Sequence, residues 1–239
     1  MITVEQRQII VNNLKGKHLP LDLFVEIEDH ISEQIEHKIF FENQSFEIAC
    51  KEVFEAWNSN ELKLKQSFFE SQKKTAIHRK ISRETDKNLN LKALKFMMII
   101  MLFSMFLLFL AKDLAKYFIL IINALILPVG LLVTIFDYKT LKTSFNLYDK
   151  RISYLQKNVS FITTALIVGP YLILSDFDRK FLNFYNSFLE SVSGNISFEF
   201  VGWFFVNHIY VYLCLLGVLY YLEYKKAIKI LERKINFKL

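Results

Sequence analysis

The chain has 239 residues, of which 53% are hydrophobic and 15% aromatic, yet 23% are charged and the net charge is +6. Such a composition excludes an ordinary soluble domain and also a chain immersed in lipid throughout, so apolar and charged residues must be segregated along the sequence. Its two cysteines, Cys50 and Cys214, lie in a polar and an apolar stretch respectively, which excludes a disulfide framework.

Residues 1–95 are polar and balanced, with 15 Lys/Arg and 15 Asp/Glu. The opening MITVEQRQII has no basic start, no apolar run and no small-residue cleavage site, so no signal peptide is expected. Position 2 is not Gly, so no myristoylation is expected either. A first helix is predicted over 3–14, stopped at Gly16. A second is predicted over 20–40, with Pro20 in its first turn. Residues 41–44 form a turn, and Ser45 caps a third helix, with Glu47 near its positive end. Asn58-Ser59-Asn60 closes that helix.

In the second helix, Leu23, Phe24, Ile27, Ile31, Ile35 and Ile39 fall on one stripe. Glu26, His30, Glu33 and His37 line its flank at i, i+4, i+7 and i+11. Imidazoles and carboxylates are ligands for zinc or iron. One straight helix cannot wrap an ion with four of them, because positions 26 and 37 are separated by a rise of about 16 Å. At most Glu26 with His30, or Glu33 with His37, forms a half-site that needs ligands from elsewhere. The expected reading is a polar face in solvent or against another helix, with no metal and no cofactor.

The same stretch resembles the helical prefix of HAAS, or permease-prefix, type that precedes the spans of many bacterial membrane proteins. The matching residues are Glu26, Ile27, Asp29, His30 and Ile31, followed by Ser45-Phe46-Glu47 and Ala49. Trp57-Asn58-Ser59-Asn60-Glu61-Leu62 stands where that family tends to show L-G-D-P-E-E-L, without the Gly-Asp-Pro, and helix three has fewer alanines. The resemblance covers residues 3–65. It implies a regulatory or accessory membrane protein, or a permease, rather than a defined catalytic chemistry. Asp29 and His30 are then expected to tie helices together.

A charged linker helix is expected from about 61, filling 66–95 and running into the first span, since 61–111 contains neither Gly nor Pro. Four spans are predicted at 96–111, 117–136, 159–175 and 200–222. The first is short, and Lys95 and Lys112 are expected to snorkel outward. Between spans three and four, Phe177, Phe181, Phe184, Tyr185, Phe188, Leu189 and Val192 share one face of a predicted helix, 177–192, that ends at Gly194-Asn195. Such a helix lies in a membrane interface, as a lid over the span ends or as a docking surface. A basic tail, 223–239, completes the chain.

Lys and Arg alternate in density from one flank to the next. The segments before span one, between spans two and three, and after span four hold 26; the other two links hold 4. Positive-inside places both termini in the cytoplasm of a bacterial inner membrane. The basic balance is then explained by anionic lipid, and no nucleic-acid partner is expected.

No Asp, Glu, Lys or Arg sits centrally in a span, which argues against ion-coupled transport. The polar residues within spans are Asn123, Thr163, Thr164, Asn207 and His208. The bland reading has the asparagines bonding to neighbouring helices; the sharper one makes Asn207 and His208, with Asn123, a ligand or proton-relay site. No Walker loop, HExxH, GxSxG, GxGxxG or CxxC occurs. The expected architecture is all-α: a cytoplasmic helical prefix domain (1–65) followed by a four-helix transmembrane bundle. The expected role is a non-enzymatic accessory or scaffold subunit in contact with a protein partner or with itself. The alternatives are a permease subunit acting as an oligomer and a membrane-embedded lipid enzyme.

Overall fold

The computed structural model describes residues 2–17, 19–65, 74–137, 153–159, 176–194 and 198–235. The expected third span falls outside them apart from Val159, as do Thr163, Thr164 and most of the basic link before it. The described residues form seven α-helices, and three of these are long and apolar enough to cross a membrane. The chain divides into two compact units. The first holds Met1–Asp86, Phe145–Gln156 and Glu223–Leu239; the second holds Lys87–Ser144 and Lys157–Leu222.

The first unit begins with α1 (Val4–Lys15), α2 (Leu21–Phe41) and α3 (Phe46–Ser59). Helix α1 starts on a capping box: the Gln6 backbone N–H donates to Thr3 Oγ1 at 3.2 Å, and the Thr3 backbone N–H donates to Gln6 Oε1 at 2.9 Å. Ser45 Oγ accepts from the Ile48 backbone N–H at the start of α3. Asn43 takes the left-handed conformation (φ 52°) in the turn between α2 and α3. Lys38 Nζ braces that turn, donating to Glu42 at 3.1 Å and to Glu52 at 2.8 Å. The apolar stripe of α2 is buried as its period requires: Leu23, Ile27, Ile31 and Ile35 pack with Ile10 and Leu14 of α1 and with Ala49, Val53 and Phe54 of α3. Such burial stabilises by about 1.5–3 kcal/mol per large side chain.

The core of this unit does not stop at residue 65. Leu62 is fully buried in it, and Ile77, Ile81 and Tyr154 pack against it. That explains a departure from the continuous linker helix expected from residue 61. Two short strands, β1 (Leu64–Lys65) and β2 (Lys74–Thr75), pair antiparallel instead. The Ala76 and Ile77 backbone N–H groups bond back to the carbonyls of Lys63 and Glu61. The long helix α4 (Ala76–Leu110) starts only there, and then runs unbroken through the first predicted span, as the absence of Gly and Pro dictates.

The second unit contains the rest of α4, α5 (Lys112–Phe136), α6 (Phe177–Val192) and most of α7 (Phe198–Ile235). With 35, 25 and 38 residues, α4, α5 and α7 extend over about 52, 38 and 57 Å, each more than the roughly 30 Å of a hydrocarbon core. The five-residue link expected at 112–116 is absent. Ala111 alone is extended (φ −161°, ψ 123°), and α5 begins at Lys112 with Asp113 favourable in its first turn. The outer faces of these helices carry Leu102, Phe106, Phe109, Ile121, Leu125, Phe205 and Ile209 in exposed positions, an apolar surface of the kind lipid covers.

Helix α6 occupies the residues whose spacing predicts a helix. Its stripe of Phe177, Phe181, Phe184 and Phe188 is buried against α4 and α7. The Phe188 ring lies 5.0 Å from Phe109, and the Phe184 ring 4.6 Å from Trp203. Its polar side meets the start of α5: Lys116 pairs with Asp178 at 2.7 Å, and Lys112 stands over the Tyr185 ring. Gly194, at φ 103°, provides the left-handed residue just past the helix end.

Candidate functional site

Four buried polar side chains of the second unit, Ser104, Asn123, Asn207 and His208, are linked in two pairs across the helix packing. Asn207 and His208 are consecutive on α7, so their side chains point about 100° apart and reach two different neighbours. Asn207 Oδ1 accepts from Asn123 Nδ2 of α5 at 3.1 Å, and Asn123 Nδ2 also donates to the Ile119 carbonyl at 2.7 Å. His208 faces α4, with Nε2 3.1 Å from Ser104 Oγ. Its Nδ1 lies 2.7 Å from the Phe204 carbonyl one turn back. A carbonyl only accepts, so Nδ1 carries a proton. In the neutral ring Nε2 then accepts from the Ser104 hydroxyl, which otherwise donates to the Met101 carbonyl at 2.8 Å. All four side chains are buried, Ser104 fully.

The structure thus brings together Asn123, Asn207 and His208, and it adds Ser104, which sequence reasoning missed. The available signal was modest: Ser104 is the one hydroxyl in the run FMMIIMLFSMFLLFLA. Chemically the cluster is a set of helix-to-helix hydrogen bonds. One atom stands apart, Asn123 Oδ1, which is buried without a hydrogen-bond partner.

In the first unit, Glu26, His30, Glu33 and His37 all lie on the exposed face of α2. His30 Nδ1 is 3.7 Å from Glu33 Oε2, and the His37 ring packs on Phe41. Among the described residues, no group of three or more His, Cys, Asp or Glu side chains is placed to hold a metal ion. The tie between α1 and α2 runs chiefly through Glu28, beside the expected pair, with Asp29 contributing. Glu28, buried, accepts from Arg7 Nε and Nη2, both at 2.7 Å, and from Ser32 Oγ at 3.3 Å. Asp29 stands 3.6 Å from the same guanidinium, while His30 points to solvent. Cys50 is buried, and that burial raises its thiol pKa, which keeps it in the unreactive protonated form.

No protein-family model, curated protein or solved structure matches the chain.

Proposed function

We propose that this chain is a multi-pass protein of the bacterial inner membrane, with both termini in the cytoplasm, that serves as a non-enzymatic accessory or scaffold subunit. On this reading four helices cross the bilayer: the three long apolar helices and a further span at 159–175, third in chain order. The helical prefix of residues 1–65, with the linker that follows it, presents a surface to a cytoplasmic protein partner. The observation that carries the reading is the use made of polar groups among the apolar helices. Apart from Asn123 Oδ1, the hydrogen-bonding groups of Asn123, Asn207, Ser104 and His208 that are described pair with one another and with backbone carbonyls, which suits helix association better than a conduction path or a reaction centre. The prefix adds exposed aromatic and aliphatic side chains on either side of the α2–α3 turn, Phe40 (63% accessible) and Phe41 (76%) at the end of α2 and Ile48 in the first turn of α3.

Gentle solubilisation of membranes tests the proposal. A larger partner is expected to co-purify in stoichiometric amount, and to be lost from the Phe40→Asp/Phe41→Asp variant while that variant still inserts. A stable homo-oligomer with a hydrated central path and no partner would replace the scaffold role with the permease-subunit reading.

A further inference from the structure

Helix α6 has a second apolar face, beside the buried one, that stays open. At about 100° per residue, Phe177, Phe181, Phe184 and Phe188 take up roughly a sixth of the circumference and are buried on α4 and α7. Val192, Leu189 and Leu182 continue the apolar arc on one side of them, and are 59%, 48% and 44% accessible. Asn186, Arg179, Glu190 and Asn183 follow on the far side, all exposed. The apolar arc of α6 is therefore wider than the protein surface it rests on, and part of it meets something other than this chain.

The open arc is continuous with the surface of α4 and α5 that faces lipid. Phe188, next to Leu189, meets Phe109 edge to face at 5.0 Å, and Phe109, Leu110 and Leu114 at the α4–α5 junction are themselves exposed. The charges beside the arc mark its depth. Lys112 Nζ stands 5.3 Å from the centre of the Tyr185 ring, and Lys116 pairs with Asp178 in the first turn of α6. Lysines, an acid and aromatic rings at one level belong to the headgroup boundary rather than to the acyl interior. A protein partner needs a wider footing, since stable interfaces use roughly 20–30 residues a side; the arc offers three aliphatic side chains with Tyr185 at their edge. The first span fits the same picture. Its apolar run in α4, residues 96–110, rises about 22 Å, less than the roughly 30 Å of a hydrocarbon core. A helix lying among headgroups takes up area at the surface without filling the depth beneath it, so the leaflet thins beside a short span.

We propose that α6 is a lipid-binding wedge: it lies at the boundary of headgroups and acyl chains, rests its phenylalanines on the spans, and takes lipid tails along Leu182, Leu189 and Val192. The inference needs α4, α5 and α7 to cross the bilayer. It depends neither on the scaffold role nor on which side of the membrane α6 occupies.

The test is spin labelling of the full chain in vesicles of phosphatidylethanolamine and phosphatidylglycerol, in a Cys50→Ala/Cys214→Ala background. Leu182→Cys, Leu189→Cys and Val192→Cys sample the open arc, and Asn183→Cys and Asn186→Cys the polar side. Phe106→Cys, exposed on α4, is the control within a span. Each label is challenged with O₂, which concentrates among acyl chains, and with a neutral nickel chelate, which stays in water. The ratio of O₂ to chelate collisions should be several times higher at the three arc positions than at the two asparagines, and should approach that of Phe106→Cys. Equal ratios on the two sides would overturn the proposal, because the arc would then face water. Low collision rates with both reagents at the arc would overturn it in favour of a second copy or another protein seated there. Chelate access at Phe106→Cys would overturn it together with the membrane reading itself.

Discussion

Asp22 gives the first unit a pH dependence that can be worked out in sign. Burial raises its carboxyl from 3.8 to about 6, with the Glu26 charge adding to the shift; the Ser153 hydroxyl and the Leu23 and Tyr154 backbone N–H groups oppose it. A folded pKa above the unfolded one means that the fold holds the proton more tightly. The stabilisation is complete below about pH 4 and is lost as pH rises through 6. Asp22→Asn, neutral throughout, should therefore be more stable than the parent chain at pH 7.5 by on the order of 2–3 kcal/mol, and equal to it near pH 4. Thermal melts followed through Trp57 in a Trp203→Phe background would show this; equal melts at both pH values would refute it. Arg7 and His30 make a second contrast. Arg7→Met strands the buried Glu28 carboxylate and should cost about 1–3 kcal/mol, whereas His30→Ala at its exposed position should stay within about 0.5 kcal/mol. Of the expected tie at Asp29 and His30, Asp29 takes part at 3.6 Å from Arg7, but the bidentate partner is Glu28 and His30 stands outside it. The period of α2 marks which face is apolar, but it does not say which flank α1 covers. Arg7 selects Glu28 only once α1 is in place.

Helices were legible wherever an apolar period or a cap was the deciding term. Thus α6 could be read from its phenylalanines and Gly194, and α3 from Ser45. The start of α4 could not. Residues 61–75 contain good helix formers, and the pull that breaks them is tertiary: Leu62 enters the core of the first unit, and the strand pair closes behind it. Two experiments belong to this scale. Phe184→Ala, which removes the ring against Trp203, should destabilise the packing of α6 by about 3 kcal/mol and shift Trp203 emission to the red; an unchanged spectrum would mean that α6 is not held there. A double-mutant cycle of Asn123→Leu and Asn207→Leu should return a coupling of about 0.6 kcal/mol, as intramembrane hydrogen bonds do. A coupling near zero would remove the asparagine pair as glue between α5 and α7.

At the scale of the whole molecule, three apolar helices were apparent from composition, as was the run of the charged linker into the first; the length of α7 beyond Leu222 was not. The spans predicted at 96–111, all but Ala111, and at 200–222 sit within helices of 35 and 38 residues, because charged flanks with strong helical propensity prolong the apolar segments. The proposed orientation makes a sharp prediction. In a Cys50→Ala/Cys214→Ala background, Asn183→Cys on the exposed side of α6 should react with an impermeant maleimide added to intact cells. Reporters fused to either terminus should remain inside. Labelling only after lysis, or an exported terminal reporter, would invert the topology.

With nothing but Ala111 separating α4 from α5, the two helices have no slack with which to enter a bilayer one after the other. On the proposed orientation the pair would enter as a closed hairpin, and Lys112, Asp113 and Lys116 would be carried across at its tip, with Asp178 available to pair with Lys116 only after synthesis has reached α6.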